Sequence, residues 1–257
     1  MLNKSFFKKL FHNFFRIVYR GKNFDITYHG KKITVFEKNY ASYINKPIPL
    51  RLIDGSYEKQ EIKSIKKFLT KEMTVLELGG SLGVTSVIIN SILDKKTNHI
   101  VCEGNPELIE NLAYNKNQND CEFQIVNQPV SSLEKKVSFF FNNISLGGSI
   151  FNKQHKYKDN LHGEYKKTVM NTITPMLLEK QFSLNFDCLI CDIEGEEFNL
   201  LLDLYDYFKE FKLMIVEFHF DDESNYRKLE KLKNNYGDYF DFIQINQTNL
   251  VFVKKHL

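Results

Sequence analysis

The chain has 257 residues, of which 42% are hydrophobic and 26% are charged, so its composition is that of a globular protein and excludes wholesale disorder. This length allows one large α/β domain or two small ones. The formal net charge of +3 is too small to indicate a nucleic-acid partner by itself. No stretch reaches the ~20 uninterrupted apolar residues that a membrane-spanning helix needs.

The first segment, residues 1–20, has the pattern of an amphipathic helix. Leucine, phenylalanine and valine recur every four residues from Leu2 to Val18, and basic residues fall on the other sides. These basic residues also interrupt the apolar core that a signal peptide requires. Two alternatives remain open: a helix that packs its aromatic face on the domain, and one that lies in an anionic membrane interface. The pattern slightly favours the second, so we expect a cytoplasmic protein with peripheral contact at the inner face of the membrane.

Residues 1–54, with this helix and a few short predicted strands, are expected to form an appendage. The main domain is expected over residues 55–257. Ser56 is predicted to cap its first helix, and Glu58 lies in the first turn of that helix.

From residue 74 onward, short apolar runs alternate with helical patterns, which is typical of a parallel sheet with helices on both faces. The predicted strands are TVLELG, HIVCEG, EFQIVNQ, FDCLICDI and KLMIVEFHF. Two further strands about a central turn predict a terminal antiparallel hairpin. We therefore expect an α/β fold with a Rossmann-like, mostly parallel sheet of seven strands. Residues 131–172 are an insertion that could cover an acceptor.

The four cysteines lie in or beside apolar runs, which indicates buried thiols in a reducing compartment. Cys188-x-x-Cys191 has the spacing of zinc ligands, but no second Cys/His pair completes a tetrahedral set. We therefore interpret both residues as part of the core.

A glycine-rich turn, VLELGGSLGVTS, follows the first strand of the alternating pattern. Glycine allows positive φ and a close approach of the backbone to a ligand, and the first strand-to-helix turn is a usual ligand site. The turn lacks the lysine of a P-loop and the spacing of a dinucleotide fingerprint. The carboxylate of Glu77 suits a positively charged ligand, against which Gly79, Gly80, Ser81 and Gly83 would lie.

The second strand of this pattern ends in Glu103, whose carboxylate could accept hydrogen bonds from two ribose hydroxyls. This feature indicates a nucleoside without choosing the cofactor. Asn105 is a candidate for a place beside the adenine, and Glu58 and Tyr57 are candidates from the preceding helix.

The sequence CDIEGEE follows the fourth strand and places Asp192 and Glu194 at the same edge of the sheet. Glutamates at the start of a helix also complement the helix dipole, and this is our interpretation of Glu196. The next strand ends in EFH, which adds Glu217 and His219 to the same edge.

Taken together, residues 55–220 resemble the FkbM family of class I S-adenosylmethionine-dependent methyltransferases. The resemblance rests on GSYEKQEI, VLELGGSLGVTS, VCEGNPELIENLAYNKNQN, TVMNTITPML, CDIEGEE and MIVEFH, of which Asp-x-Glu-Gly-x-Glu is the most specific element. One departure is ELGGS at residues 77–81, where the family commonly has Asp-Ile-Gly-Ala-Asn. The resemblance implies S-adenosylmethionine as the cofactor and O-methylation of a sugar or another hydroxylated compound.

An alcohol acceptor must lose its proton to a base or bind a metal ion that acidifies it. Asp192 and His219 are the candidate bases, and Glu194 lies beside them. Asp192 is also expected to contact the cofactor. The same acidic edge, with Asp192, Glu217 and His219 as ligands, could hold Mg²⁺ or Mn²⁺, although no metal is expected.

The insertion contains side chains that could bond or stack on a sugar: His155, Tyr157, His162 and Tyr165. The leading interpretation is an O-methyltransferase that acts on a glycan, such as a cell-envelope polysaccharide precursor. Alternatives are an O-methyltransferase of a non-sugar small molecule, a nucleic-acid methyltransferase and a cofactor-binding module without catalysis. Because the acidic edge repels phosphate, no nucleic-acid partner is expected.

Overall fold

The computed structural model describes residues 21–39, 47–141, 148–150, 166–220 and 223–255. The predicted amphipathic helix over residues 1–20 lies outside this set, as do His155, Tyr157, His162 and Tyr165. Within the described part of the chain, no helix combines the length and the apolar character needed to cross a membrane.

The described residues form twelve strands and eight α-helices. The strands are β1 (Phe24–Tyr28), β2 (Lys31–Val35), β3 (Val75–Leu78), β4 (His99–Cys102), β5 (Gln124–Val126), β6 (Lys136–Phe141), β7 (Gly148–Ser149), β8 (Lys166–Asn171), β9 (Cys188–Cys191), β10 (Leu213–Glu217), β11 (Phe240–Gln244) and β12 (Asn249–Lys254). The helices are α1 (Ile48–Ile53), α2 (Lys59–Phe68), α3 (Val84–Ile92), α4 (Ile109–Gln118), α5 (Pro175–Phe182), α6 (Glu197–Asp203), α7 (Tyr205–Phe208) and α8 (Ser224–Tyr236).

Seven strands form one sheet in the order β11-β12-β10-β9-β3-β4-β5. The five strands from β10 to β5 pair in parallel, and β12 is antiparallel to both of its neighbours. The predicted terminal hairpin is β11–β12, and it places one reversed strand inside the sheet. The prediction of a Rossmann-like, mostly parallel sheet of seven strands is therefore confirmed.

The central strands are buried along their whole length because helices cover both faces of the sheet. Neighbouring residues of one strand point to opposite faces. On one face, Leu189 and Met214 pack in a cluster with Phe198 of α6. On the other face, Ile190 packs in a cluster with Ile65 of α2. Because the sheet is packed against a hydrophobic cluster on each face, the positions of its strand ends are fixed.

The cysteines are part of this core. All four are free, and Cys102, Cys188 and Cys191 are buried. Burial raises the pKa of the Cys188 and Cys191 thiols well above the ordinary value, so both stay protonated and apolar. This agrees with their interpretation as core residues.

The start of α2 differs from the prediction, because Ser56 does not cap the helix. Ser56 instead donates its hydroxyl to Asp54 Oδ1 at 2.6 Å. The residue at the cap position is Glu58, which has a φ of 41° and makes no side-chain cap bond. The predicted cap is wrong because the serine closes the turn that precedes the helix.

The β1–β2 hairpin is bonded to α4 by an asparagine row, Asn111, Asn115 and Asn119, which lie one helical turn apart. Asn115 Oδ1 accepts from the Thr34 N–H at 2.8 Å, and its Nδ2 donates to the Thr34 carbonyl at 3.0 Å. The same Nδ2 also donates to the Leu82 carbonyl at 2.8 Å. The asparagine row therefore bonds β2 as a neighbouring strand would, and it connects the hairpin to the loop after β3.

The predicted insertion contributes a second, antiparallel sheet in the order β7-β6-β8, which we call the insertion sheet. Its Phe139 ring lies so close to Gly104 and Gly148 that an added Cβ would come within 2.6 and 2.5 Å of the ring, respectively. Ser149 Oγ donates to the Glu194 carbonyl at 3.0 Å. The insertion sheet is thus anchored beside the carboxyl ends of β4 and β9.

Candidate active site

Four strand ends meet at one edge of the seven-stranded sheet. Leu78 of β3 pairs with Cys102 of β4 on one side and with Cys191 of β9 on the other, and Cys191 pairs in turn with Val216 of β10. The residues that follow these strands, including Gly79 and Asp192, are therefore level with one another. In open α/β sheets, ligands bind beyond this carboxyl edge.

The glycine turn, residues 79–83, is shaped by close contacts with its neighbours. Gly79 has a φ of +92°, and a Cβ there would lie 1.9 Å from the carbonyl oxygen of Asp192. Gly80 and Gly83 have no room for a Cβ either, because side chains of β4 and α4 would lie at 2.3 and 2.6 Å. Glycine is thus needed for both backbone conformation and close packing.

Glu103 bonds the glycine turn to the end of β4. It accepts the Ser81 N–H at 2.7 Å and the Asn105 N–H at 2.6 Å. Only 6% of the residue is exposed. Burial raises the pKa of its carboxyl to about 7, although the hydrogen bonds from Asn105 and Ser81 oppose the rise. Three residues predicted to bind the cofactor thus lie in direct contact.

Glu77, in contrast, is engaged within the protein. Its Oε1 accepts the Ser86 hydroxyl at 2.8 Å, and its Oε2 lies 2.8 Å from His99 Nε2. The side chain is only 2% exposed. Both oxygens of the carboxylate predicted to suit a positively charged ligand are therefore already engaged within the protein.

His219 lies just beyond β10 and is held between carboxylates. Its Nδ1 is 2.8 Å from Glu197 Oε1. On the other side of the ring, Nε2 is 3.7 Å from Asp192 Oδ1 and 3.8 Å from Glu194 Oε2. The structure therefore brings together the three residues predicted to be catalytic, and the two longer distances exceed a hydrogen bond.

These carboxylates keep the imidazole charged. Burial alone would lower the pKa of His219, but the hydrogen bond and charge of Glu197, with the charges of Asp192 and Glu194, raise it to about 10. Burial also raises the pKa of Asp192 well above its usual range, although His219 opposes this. The site thus combines an imidazole whose charged form is favoured by its neighbours with a carboxyl whose pKa is raised by burial.

The sequence Asp-x-Glu-Gly-x-Glu folds into a turn that gathers its acids. Glu194 has a φ of 58° and Gly195 a φ of 116°, so both lie in the left-handed region. The Gly195 N–H donates to Glu197 Oε1 at 3.0 Å. This turn directs Asp192, Glu194 and Glu197 toward the same histidine.

A second acidic set lies next to the first. One carboxylate oxygen each of Glu58, Asp192 and Glu217 lies within 4.8 Å of the others. Burial raises the pKa of Glu58, while the Arg51 guanidinium, 3.4 Å away, opposes the rise. Thr248 donates its hydroxyl to Glu217 at 3.1 Å. Glu58, predicted to line the cofactor pocket, therefore lies at the acidic edge.

The predicted metal ligands do not form a single set. Among the described residues, the two groups with ligand atoms within 4.8 Å of one another are Asp192, Glu197 and His219, and Glu58, Asp192 and Glu217. Asp192 is common to both, whereas Glu217 and His219 belong to different groups. The geometry thus places the three predicted residues near one another without joining them as one ligand triad.

The sequence reasoning missed Glu197 and also Glu61, a buried residue whose pKa is raised by burial and by the nearby charges of Glu58 and Asp192. Both lie in the first turn of a helix, where glutamate usually complements the helix dipole. Their spacing from buried residues was the available signal, since Leu200 and Leu201 follow Glu197 by three and four positions, and Ile65 follows Glu61 by four. This spacing places each carboxylate on the buried face of its helix.

The chain matches one protein family and is similar to several solved structures. The family model described as the methyltransferase FkbM domain matches residues 79–248. A search of curated proteins gives no significant match. The fold is similar to that of ribosomal protein L11 methylase from Lactobacillus delbrueckii subsp. bulgaricus, with 11% identity, a TM-score of 0.42, and coverage of 77% of this chain and 78% of that chain.

It is also similar to Pyrococcus abyssi tRNA (uracil-54, C5)-methyltransferase in complex with S-adenosyl-L-homocysteine. The identity is 12% and the TM-score 0.46, with coverage of 90% of this chain and 44% of that chain. These structural likenesses concern the fold and do not bear on the acceptor. The family match is different, because it spans the glycine turn, Glu103, Asp192 and His219. The chain therefore belongs to the FkbM family of S-adenosylmethionine-dependent methyltransferases.

Proposed function

We propose that the protein methylates a hydroxyl oxygen of a sugar or a glycan precursor. The observation that carries this proposal is the position of His219 Nε2, 3.7 Å from Asp192 and 3.8 Å from Glu194. A hydroxyl beside these groups could accept a hydrogen bond from Nε2 and donate its own proton to one of the two carboxylates. A hydroxyl acceptor needs such a proton-accepting group, because it must lose its proton during transfer.

The residues at the carboxyl edge fit S-adenosylmethionine, which supplies a methyl group on a positively charged sulfur. Its ammonium and sulfonium charges suit an edge rich in carboxylates. We expect Glu103 to bind the ribose hydroxyls, and the glycine turn to lie along the methionine portion. Asn105 and Glu58 would border the same ligand.

The proposed chemistry assigns separate tasks to the acidic groups. S-adenosylmethionine held at this edge would supply the methyl group to the acceptor oxygen, and the electron pair of the broken carbon–sulfur bond would stay on sulfur. The acceptor's O–H proton passes to Asp192, whose raised pKa suits it to hold that proton. His219 donates its Nε2–H to the acceptor oxygen and so directs it. Glu194 adds negative charge beside the imidazolium.

The glycan class is supported by family resemblance and by the anchored insertion sheet beside the site. We test it with S-adenosylmethionine that carries a tritiated methyl group. The acceptors are methyl glycosides of glucose, galactose and mannose, a cell-envelope glycan extract, bulk tRNA and a simple phenol. We expect label in a glycoside or glycan as a base-stable ether. Label in tRNA or in the phenol alone would overturn the proposed acceptor.

The basic aromatic pattern of residues 1–20 motivates a further part of the proposal, peripheral binding to anionic lipid. Removal of residues 1–20 should release the protein from vesicles that contain phosphatidylglycerol. Equal sedimentation of both forms with these vesicles would contradict membrane contact.

A divalent metal is possible but not expected, and the two carboxylate groups around Asp192 make this expectation testable. The mechanism proposed above does not require it. Turnover should survive chelation with EDTA, and loss of turnover that Mg²⁺ restores would assign the base role to a metal ion instead.

A further inference from the structure

Glu197 has an environment that its position at a helix start does not require. Its side chain is fully buried, and its Oε1 accepts the Gly195 N–H at 3.0 Å and contacts His219 Nδ1 at 2.8 Å. Among the described residues, Oε2 has no hydrogen-bond partner. A buried carboxylate with an unpartnered oxygen costs free energy that an apolar side chain would not.

The helix dipole does not explain this arrangement. Glu196, the preceding residue, is also at the start of α6, and its carboxylate accepts from Asn199 Nδ2 at 3.0 Å. A solvated glutamate at this position would give the same dipole interaction without the cost of burial. The contact with His219 is therefore the distinguishing property of Glu197.

We infer that Glu197 is a positioning residue for methyl transfer: it holds the His219 ring by Nδ1, so that Nε2 is presented to the acceptor oxygen between Asp192 and Glu194. The assignment of that oxygen rests on the proposed function, whereas the orientation of the ring does not. The backbone is fixed as well, because Asn225 Nδ2 donates to the His219 carbonyl at 3.0 Å. Only rotation of the side chain remains to be restricted.

The contact with Glu197 prevents an unproductive alternative. Asp192 Oδ1 lies only 3.7 Å from Nε2, so a small rotation of an unrestrained imidazolium would close a direct ion pair. Such a pair would occupy the carboxylate that is to accept the acceptor's proton. The bond at Nδ1 keeps the two groups from pairing with each other, so both remain able to contact an oxygen atom that lies beside them.

The first test is spectroscopic and needs no acceptor. In the full-length protein, the ring N–H proton shared with a buried carboxylate should give a low-field NMR signal for His219. H219N identifies the signal by its loss. E197Q should move it upfield, because a neutral amide oxygen is a weaker acceptor than a carboxylate, and E196Q should leave it unchanged. The buried His99–Glu77 pair provides an internal reference.

The second test is a double-mutant cycle with the three methyl glycosides as acceptors. We expect E197Q to lower kcat by about 10²-fold, with adenosylhomocysteine affinity changed less than about threefold. E197Q/H219N should lose no more activity than H219N alone, because Glu197 acts through the histidine. E196Q should retain wild-type turnover.

Two results would overturn the inference. One is a low-field His219 signal that E197Q leaves in place, and the other is additive losses in the double mutant. If the wild-type protein methylates neither the glycosides nor the glycan extract, the acceptor proposal fails by itself. The spectroscopic result then still decides whether Glu197 orients the ring.

Discussion

The carboxyl edge of the seven-stranded sheet has two halves, and their geometry is set by different parts of the chain. On the cofactor side, at the ends of β3 and β4, the main chain sets the geometry, and Glu103 is satisfied by the N–H groups of Ser81 and Asn105. On the acceptor side, at the ends of β9 and β10, side chains set it. There, His219 Nε2 lies 3.7 and 3.8 Å from two carboxylates without a hydrogen bond to either.

This difference matches the tasks that we propose for each half. A cofactor presents the same atoms in every turnover, so a closely packed main-chain turn can be complementary to it. Proton transfer requires charged groups that exchange partners, so these groups cannot all be paired beforehand. Substitutions on the cofactor side should therefore abolish binding, whereas those on the acceptor side should lower turnover at nearly unchanged binding.

The largest expected effect is that of G79A. A Cβ at this position would lie 1.9 Å from the Asp192 carbonyl, so β3 and β9 would have to separate at their carboxyl ends. We expect calorimetry to show at least about a 10²-fold loss of affinity for adenosylhomocysteine, with a lower melting temperature. Because both halves of the edge meet at this point, turnover should be lost too.

G30A is the matched control for this clash. Gly30 has a φ of +78°, similar to that of Gly79, but an added Cβ there has no neighbour within 4 Å. It therefore carries the backbone strain alone and should keep near-normal affinity. Equal losses of affinity in both variants would show that strain, and not the contact with Asp192, makes glycine necessary.

The next effect in size is expected for D192N, which keeps the shape of the side chain and removes its ability to accept a proton. Turnover should fall about 10²- to 10⁴-fold, the usual contribution of a general base. The affinity for adenosylhomocysteine should change much less. Rapid-quench measurement of a single turnover would show whether the loss is in the chemical step.

D187N tests whether any acid beside β9 has this effect. Asp187 precedes the strand at its other end, where it accepts the Thr74 N–H at 2.8 Å and pairs with Lys212 at 2.7 Å. We expect lower stability with turnover per folded molecule preserved. Comparable kinetic losses in D187N and D192N would show that an acid at either end of β9 affects turnover, and would argue against a base role specific to Asp192.

The two halves also differ in how far the sequence could predict them. The position of the glycine turn and of Glu103 follows from a local pattern, because a parallel strand always delivers its next residue to the same edge. The roles of Glu77 and Glu197 depend on contacts that are distant in sequence. Glu77 meets His99 and Glu197 meets His219, each 22 residues away. No local signal distinguishes a carboxylate that faces a ligand from one that faces a histidine.

The fold itself was more predictable than these roles. Alternating apolar runs and helices gave seven strands, and the terminal hairpin followed from two strands about a short turn. The bonding of β2 by the asparagine row could not be foreseen, because asparagine in a helix normally indicates a solvated face. The orientation of the Glu58 side chain could not be predicted either. Glu58 itself takes the cap position of α2 in a left-handed conformation, whereas Ser56 had been predicted as the cap.

A smaller, pH-dependent effect is expected from Glu103. Its pKa is raised from 4.5 to about 7 in the folded protein, so between these values the folded state holds more protons than the unfolded state. The stability contributed by this group should therefore fall as pH rises through that window. If the ionised carboxylate binds the ribose hydroxyls, cofactor affinity should rise over the same range.

E103Q separates these two trends. It should remove the contribution of Glu103 to both pH dependences and weaken adenosylhomocysteine binding about 10- to 100-fold, since a hydrogen bond to a charged group contributes about 1.5–3 kcal/mol. Chemical denaturation and calorimetry between pH 5 and pH 8 would measure them. An affinity that stays pH-dependent in E103Q would assign the titration to another group.

The smallest effect is expected from N115A, which tests whether the cofactor side depends on the hairpin behind it. Asn115 is buried and bonds both Thr34 of β2 and the Leu82 carbonyl in the glycine turn. Its removal should lower the free energy of unfolding by about 1–3 kcal/mol, because buried partners are left unsatisfied. Adenosylhomocysteine affinity should fall only a few-fold. Asn119 makes the same kind of bond to the main chain of exposed Lys32 and does not reach the turn, so N119A should leave affinity unchanged. If N119A weakened cofactor binding as much as N115A, the hairpin would act through general stability, and the main-chain turn would be rigid without it.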